Sequence, residues 1–222
     1  MGARMGYDLH ISRAIFDPYA ERYPIAIEEV RLLVSRTPWL SMPNGTVIVP
    51  DGSDTLWMWH FNGQISAKNP SDHLKRRMVE MAGLLDAWVT GDYGELYELH
   101  DGEVTTREAT PDERFGPSGC ITRGRGIPGI TEQEWLRLVA AQPDFTLMTT
   151  ITARLPSGPK QIPCPPVPCW TAHPSGQPIP FFYDDPDIQV HRPDPPIIRR
   201  MRDLATHLNA RAVDDWDHDL TP

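Results

Sequence analysis

The chain has 222 residues, 40% of them hydrophobic, and a formal net charge of −9. This composition excludes a disordered chain, and the acidic balance argues against a direct nucleic-acid binder, which would carry a basic face. No apolar run is long enough for a secretory signal or a membrane span, and the three cysteines make no disulfide framework. We therefore expect a cytoplasmic protein with a sizeable core and no direct contact with membrane or nucleic acid.

The chain is expected to open with a strand, a helix and a meander of short strands. Residues 7–12 alternate apolar and polar side chains, as a half-buried strand does. Residues 24–34 carry an apolar stripe with helical spacing. Asn44-Gly45 is a tight-turn signal, and Asp51-Gly52 and Asn62-Gly63 favour antiparallel hairpins. The strands expected around these turns are residues 46–49, 55–61 and 64–68.

A second helix follows the meander. Ser71 or Asp72 can cap its first turn by accepting hydrogen bonds from unpaired amides. The apolar stripe of this helix consists of Leu74, Met78, Met81 and Leu85. Its spacing of four, three and four residues predicts one buried face. The helix is expected to end near Trp88, before the chain-breaking residues 91–94.

The second half of the chain predicts the same kinds of element after a polar linker. Residues 99–128 are rich in Gly and Pro, which favours a linker with room for one or two short strands inside it. Thr131 and Glu134 have capping-box spacing and begin a helix through Val139. Residues 145–155 are dense in β-branched side chains and predict a strand, whereas the prolines of 156–173 favour extended turns or edge strands. Strands at 180–183 and 188–191 and a final helix beginning at Pro195-Pro196 complete the pattern.

An internal repeat relates the two halves. Residues 65–97 align without a gap on residues 188–220, and nine of the 33 pairs are identical. A weaker match joins residues 25–40 to residues 130–145. Two blocks in the same order indicate a duplicated module. We predict an α+β fold of two similar modules, each a mostly antiparallel sheet covered by two helices, related by a pseudo-two-fold axis. The predicted boundaries are 1–98 for the first module, 99–128 for the linker and 129–222 for the second module.

Several motifs resemble those of a widespread group of small bacterial proteins. These proteins open with a YDLHI-R-A-like strand and carry an EEW-like helix, an N-P-D helix start and a V-x-G-D-x-G-E-x-Y ending. Here residues 7–14 provide the opening, residues 65–70 the helix start and residues 89–97 the ending. Many members of the group resemble immunity proteins of polymorphic or contact-delivered toxin systems. The resemblance implies that this chain binds a cognate bacterial toxin.

The second half lacks the double-glycine ending of that group. It has Asp214, Asp217 and His218 where the group's pattern has other residues. Both endings concentrate carboxylates around an aromatic side chain, which suits an acidic docking surface for a basic cleft. The alternative for the second ending is a solvated acidic tail. The predicted partner-binding residues are Asp92, Tyr93, Glu95, Asp214, Asp215, Trp216, Asp217 and Asp219.

No motif in the sequence carries catalysis or a cofactor. Residues 124–129 satisfy G-x-G-x-x-G, but the rest of the chain predicts hairpins rather than βαβ units, so linker glycines are favoured over a dinucleotide site. Cys164 and Cys169, with His173 nearby, lack the second ligand pair that zinc requires, so a partly buried thiol pair is favoured. We therefore assign no catalytic residue, no cofactor and no metal.

The leading hypothesis is a non-enzymatic immunity-type protein that neutralises a cognate protein toxin by occluding its active site. One alternative is an enzyme or small-ligand binder whose site, built from dispersed residues, lies between the two modules. A further alternative is a structural homodimer.

Overall fold

The computed structural model describes residues 7–15, 17–51, 54–110, 113 and 117–221. These residues form an α+β fold with four α-helices and mostly antiparallel sheets, which confirms the predicted fold class at that level. Two compact units divide the chain. The first consists of Met1–Arg114 and Thr152–Cys164, and the second of Phe115–Ile151 and Pro165–Pro222.

A seven-stranded sheet forms the centre of the first unit. Its strands are β1 (Asp8–Ser12), β2 (Thr46–Asp51), β3 (Asp54–Phe61), β4 (Gln64–Lys68), β5 (Trp88–Gly91), β6 (Glu95–His100) and β7 (Glu103–Glu108). The order across the sheet is β2-β3-β4-β1-β5-β6-β7, and every neighbouring pair is antiparallel. The predicted opening strand and the hairpin at Asn62-Gly63 are confirmed. Asn44-Gly45 lies in a 3₁₀ turn, Pro43–Gly45, that precedes β2, and Gly52 of the predicted Asp51-Gly52 turn lies outside the described residues.

Two α-helices, α1 (Ile27–Arg36) and α2 (Asp72–Leu85), contribute to the core of the first unit. Ser71 caps α2 by accepting a hydrogen bond from the Leu74 amide at 3.2 Å. The predicted stripe of α2 is buried with Leu9 and Ile11 of the central strand β1. The helix ends three residues earlier than the predicted end near Trp88. Asp86 turns the backbone into the left-handed region with φ 51°, and Trp88 begins β5.

A four-stranded antiparallel sheet forms the second unit. Its strands are β8 (Ser118–Thr122), β12 (Phe182–Asp184), β13 (Asp187–His191) and β14 (Arg211–Asp214), in the order β12-β13-β8-β14. The helices are α3 (Glu132–Ala140), which begins with the predicted capping box at Thr131, and α4 (Pro195–His207), which carries prolines in its first turn. Trp135 and Phe181 are fully buried in this core and stack with ring centroids 6.1 Å apart.

A long ribbon occupies the predicted strand at 145–155 and the proline-rich segment after it. It consists of β9 (Phe145–Leu155) and β10 (Gly158–Trp170), with the short β11 (Ile179–Pro180) paired to the end of β10. β11 pairs only with Cys169 and Trp170, so β10 is an edge strand over most of its prolines, as proline requires. At the turn end of the ribbon, within the first unit, the amide of Ser157 donates to Asp86 at 3.0 Å.

The region predicted as a linker, 99–128, contains β7 and the central strand of the second unit, β8. The units therefore differ from the predicted modules: the second begins before residue 129, and part of the ribbon belongs to the first. The physical reason is that β8 is short and holds a glycine, so its alternation is hidden among turn-forming residues. Among the described residues, no helix is long and apolar enough to cross a membrane.

Candidate functional site

The central strands of the two units have the same register with their neighbours. His10 of β1 lies opposite Ser66 and Thr90. The sequence repeat pairs Ser66 with Gln189 and Thr90 with Val213, and these two residues lie opposite Cys120 of β8. The whole registers of β1 and β8 agree in this way, residue by residue. β1 and β8 are therefore in equivalent positions, although the sequence repeat did not include them.

A buried arginine follows the central strand of the first unit. Nη2 of Arg13 donates to Oε1 of Glu29 at 2.6 Å, and Nη1 donates to Oε2 at 3.0 Å. The same guanidinium donates to the carbonyl oxygens of Pro24 at 2.9 Å and Leu85 at 3.2 Å. The arginine side chain is 6% exposed. It therefore ties the start of α1 and the end of α2 to β1.

Arg123 makes the same set of contacts in the second unit. Its Nη2 donates to Oε1 of Glu134 at 2.9 Å, Nη1 donates to the carbonyl oxygen of Gly129 at 2.9 Å, and Nε donates to that of Leu208 at 3.0 Å. The hydrogen bonds from Arg123 and from Thr131 lower the pKa of Glu134 to about 2. We call Arg13–Glu29 and Arg123–Glu134 the two braces. Each brace holds the strands and helices of its unit together, and these contacts use the hydrogen-bonding groups of its side chains.

The first loop, residues 91–95, presents one exposed aromatic side chain on an internally bonded turn. Tyr93 is 83% exposed. Asp92 instead accepts a hydrogen bond from the Asp8 amide at 3.0 Å. Glu95 accepts from the Tyr93 amide at 3.2 Å and from the hydroxyl of Tyr7. These carboxylates fix the loop, so the tyrosine is its only large projecting group.

Tyr97 completes the polar network under the first loop. Its hydroxyl lies 2.7 Å from that of Tyr7. Burial and the neighbouring carboxylate of Glu95 raise the pKa of Tyr97 to about 12. Tyr97 therefore stays a protonated phenol at neutral pH.

The second loop, residues 214–219, also holds an exposed aromatic side chain on a bonded turn. Trp216 is 81% exposed. Oδ1 of Asp214 accepts from the amides of Trp216 at 2.9 Å and His218 at 2.8 Å, and these bonds lower the pKa of Asp214. Asp215 accepts from the Ser118 amide at 3.0 Å, as its repeat partner in the first loop does from Asp8. The tryptophan is thus presented by a preformed turn.

Arg211 balances the remaining acidic residues of the second loop. Its Nε donates to Oδ1 of Asp219 at 2.9 Å, and its Nη1 lies 3.6 Å from a carboxylate oxygen of Asp217. All eight predicted site residues therefore lie in the two loops, three in the first and five in the second. Most of their carboxylates shape the loops, and the two aromatic side chains face outward.

A cleft of about 530 Å³ lies in the second unit, on the sheet face opposite α4. Ile121 of β8 is buried with α4, so the alternate residues Ser118, Cys120 and Thr122 point to the other face and form the floor. Residues 124–129, the G-x-G-x-x-G segment, form one wall, and the second loop forms another. The sequence reasoning missed this cleft because the strand that forms its floor was placed in a linker.

The structure gives no support to a dinucleotide or zinc site at the motifs considered above. β8 is antiparallel to both of its neighbours, so the glycine segment after it does not belong to a parallel βαβ unit. Cys164 belongs to the first unit and Cys169 to the second. Among the described residues there is no group of three or more His, Cys, Asp and Glu that could hold a metal ion.

One serine–histidine–aspartate arrangement occurs in the first unit. Nδ1 of His10 lies 2.8 Å from Oγ of Ser66, but its Nε2 is 3.7 Å from Asp92, beyond hydrogen-bonding distance. The serine is also paired on both sides within the sheet, opposite Trp59 and His10. This geometry does not align a base behind a nucleophile, so the contact braces the strands.

Comparisons of the chain with protein-family models, with curated proteins and with solved structures give no match.

Proposed function

We propose that this protein is a non-enzymatic, immunity-type binding protein that neutralises a cognate bacterial toxin. The observation that carries the proposal is the pair of projecting aromatic side chains, Tyr93 and Trp216, 83% and 81% exposed on internally bonded loops. Large aromatic side chains dominate the energetics of protein interfaces, and a preformed loop lowers the entropy lost on binding. Side chains that are this exposed do not contribute to the core of either unit.

Charge supports a basic partner. The chain has a net charge of −9, and such a field accelerates encounter with a positively charged cleft. In this proposal the loops cover the active site of the toxin, and the protein itself needs no cofactor. A cytoplasmic location follows, because an immunity protein protects the cell that contains it.

The two units are, in this proposal, copies of one module related by a pseudo-two-fold axis. The equal registers around β1 and β8 and the two braces support a common origin. The copies keep the scaffold positions and differ in their loops. A duplicated binder with two different loops can hold two sites on one partner, which raises the affinity beyond that of either loop.

Co-expression with the protein encoded beside it in its native genome tests the proposal. We expect the two proteins to co-purify and the partner's toxicity to be suppressed. The variant Tyr93→Ala/Trp216→Ala should lose both effects while keeping the unfolding temperature of the wild type. Phe61→Ala, which removes another exposed aromatic side chain (67% exposed), is the matched control and should bind normally. Absence of any co-purifying protein, or normal binding by the double variant, contradicts the proposal.

A further inference from the structure

We propose that the cleft of the second unit receives an arginine side chain of the protein partner. This inference rests on the proposed function and names the chemical group of the partner that the protein binds. The cleft has about 530 Å³, within the range of sites that enclose a small group. The shape of the floor and charge complementarity both favour this occupant.

The floor of the cleft is a flat patch of three neighbouring strands. Cys120 lies at its centre, with Gln189 of β13 on one side and Val213 of β14 on the other. From Ser118 to Thr122 the floor extends for roughly 13 Å, at about 3.3 Å per residue. An extended arginine side chain and its backbone fit along such a floor, with apolar and sulfur atoms beneath the methylene groups.

Carboxylates line the cleft on two sides. Asp215 uses Oδ2 to hold the Ser118 amide, and its Oδ1 has no hydrogen-bond partner among the described residues. Asp217 forms an ion pair with Arg211 at 3.6 Å, without a side-chain hydrogen bond to it. Asp187 lies at the end of the cleft floor farthest from the second loop. Its carboxylate has no side-chain partner in the described part of the chain. These carboxylates can accept hydrogen bonds from a guanidinium group.

The arginines that line the cleft do not neutralise these carboxylates. Arg123 is one of the braces and is bound to Glu134. Arg125 is exposed at the rim, beside Ile127, with no ion pair among the described residues. The formal charge of the lining is negative, with four carboxylates against these two arginines. Asp214 is bonded within its loop and Asp217 is paired with Arg211, so Asp187 and Asp215 are the carboxylates left for a partner. Arginine is favoured over lysine because its planar fork can bond two carboxylate oxygens at once.

The first unit has a different side chain at the centre of the equivalent face. His10 replaces Cys120, and its imidazole is bonded to Ser66 at 2.8 Å. The second unit has a smaller thiol at that position, and Gln189 replaces the serine. The floor of the cleft therefore differs at its centre from the equivalent face of the first unit, next to a loop that also differs.

Nα-acetyl-arginine amide is the probe for the test, titrated into the full chain and followed by ¹H–¹⁵N NMR. We expect saturable shifts at the amides of residues 118–124, 187–189 and 213–217, with a Kd on the order of millimolar. The neutral isostere Nα-acetyl-citrulline amide should give no saturable shift. Asp187→Asn/Asp215→Asn should weaken binding roughly tenfold, since asparagine keeps the acceptor for the Ser118 amide but removes the charge.

The control variant Asp72→Asn/Asp101→Asn removes the same charge from side chains that are 98% and 93% exposed in the first unit. It should bind the probe as the wild type does. A measurement on the unmodified protein avoids variants altogether: the arginine probe should slow alkylation of Cys120 but not of Cys164, as read by mass spectrometry. Equal shifts with citrulline, equal weakening in the control variant, or no protection of Cys120 would overturn the inference.

The outcome for the cleft is separable from the outcome for the proposed function. If a toxin co-purifies but its affinity is unchanged by Asp187→Asn/Asp215→Asn, the cleft inference fails and the proposed function stands. If the arginine probe binds but no toxin is found, the cleft is a site and the proposed function fails.

Discussion

The two units share the arginine–glutamate brace and differ in the loop that carries the exposed aromatic side chain. Arg13 and Arg123 each connect the central strand to a helix-capping glutamate and to the carbonyl oxygen that ends the last helix. The loops, in contrast, use different residues to reach a similar result, one projecting aromatic side chain on a bonded turn. The repeated positions therefore specify the scaffold, and the variable positions specify which side chains the surface presents.

Gly91 and Asp214 show how the loops diverge at a single repeat position. A Cβ atom at Gly91 would overlap the hydroxyl of Tyr7 and the carboxylate of Glu95. At the equivalent place, the carboxylate of Asp214 itself bonds the turn amides. The first loop is held by the groups of Tyr7 and Glu95 that approach Gly91 closely. The second loop is held by the side chain of Asp214, which takes the place of that glycine.

Removing a brace should have the largest effect. Arg13→Met leaves the carboxylate of Glu29 and the carbonyl oxygens of Pro24 and Leu85 without their donor. Because the arginine side chain is 6% exposed, the free energy of unfolding should fall by about 3–5 kcal/mol in urea denaturation. Arg123→Met should lower it by less, since that side chain is 16% exposed.

Arg76→Met is the matched control for the braces. Its side chain is 51% exposed and 3.5 Å from Glu80, so the free energy of unfolding should change by less than about 0.5 kcal/mol. If Arg13→Met and Arg76→Met cost the same, the braces are not the scaffold element that the two units share.

Much of the fold could be predicted from local pattern, but the braces and the cleft could not. The capping box at Thr131 and the cap and apolar stripe of α2 are encoded within a few neighbouring residues, so the sequence predicts the starts of α2 and α3 at the right residues. β8 has five residues with a glycine second, and only Ile121 matches the residue at the same place in β1. Its place in the sheet is decided by distant strands, which a local pattern does not contain.

For the candidate site, local pattern likewise predicts some residues but not the contacts that distant residues make. The aromatic residues Tyr93 and Trp216 stood out in the sequence by composition and proved to be exposed. The acidic residues around them were expected to face a partner, yet Asp92 and Asp215 each hold a strand amide 3.0 Å away. Which carboxylates bond inward depends on contacts across about a hundred residues of sequence.

Gly91→Ala should destabilise the first unit, because the new methyl group meets the Tyr7 hydroxyl and the Glu95 carboxylate. The expected loss is about 1–3 kcal/mol in the free energy of unfolding, typical of overpacking. Tyr7→Phe, which removes the hydroxyl, should recover part of it in the double variant. Gly83→Ala is the control: nothing lies within 4 Å of its added Cβ, so alanine in this helix should stabilise by up to about 1 kcal/mol. Equal effects of both alanines would refute the steric account of the first loop.

The single variants Tyr93→Ala and Trp216→Ala ask which loop carries the binding. Trp216→Ala should cost about 2 kcal/mol of binding free energy, or roughly 30-fold in Kd by calorimetry with the purified toxin, because tryptophan is the strongest anchor. Tyr93→Ala should cost less. Neither should change the unfolding temperature, since both side chains are more than four-fifths exposed at 83% and 81%. A Tyr93→Ala variant that binds more weakly than Trp216→Ala would reverse the assignment of the loops.

Acid should weaken both braces by protonating their glutamates. The hydrogen bonds of Arg123 and Thr131 lower the pKa of Glu134 from 4.5 to about 2. For Glu29, burial opposes ionisation, but the bonds from Arg13 and the Ala26 amide outweigh it, so the pKa is also lowered. A lowered pKa in the folded state means that the stabilisation is complete above pH 4.5 and is lost as the pH falls toward 2.

Glu134→Gln keeps the shape of the cap but removes the titrating group. Between pH 4.5 and 2 the wild type should therefore bind up to about one more proton on unfolding than this variant does, and its stability should fall more steeply with acid. Glu132→Gln, an exposed neighbour in the first turn of α3, is the control and should leave the slope unchanged. Because the pKa of Glu29 is also lowered, Glu29→Gln should likewise make the stability fall less steeply as the pH drops below 4.5. If only one of these two variants makes the stability less dependent on pH, the braces, although alike in contacts, differ in how strongly they keep their carboxylates ionised.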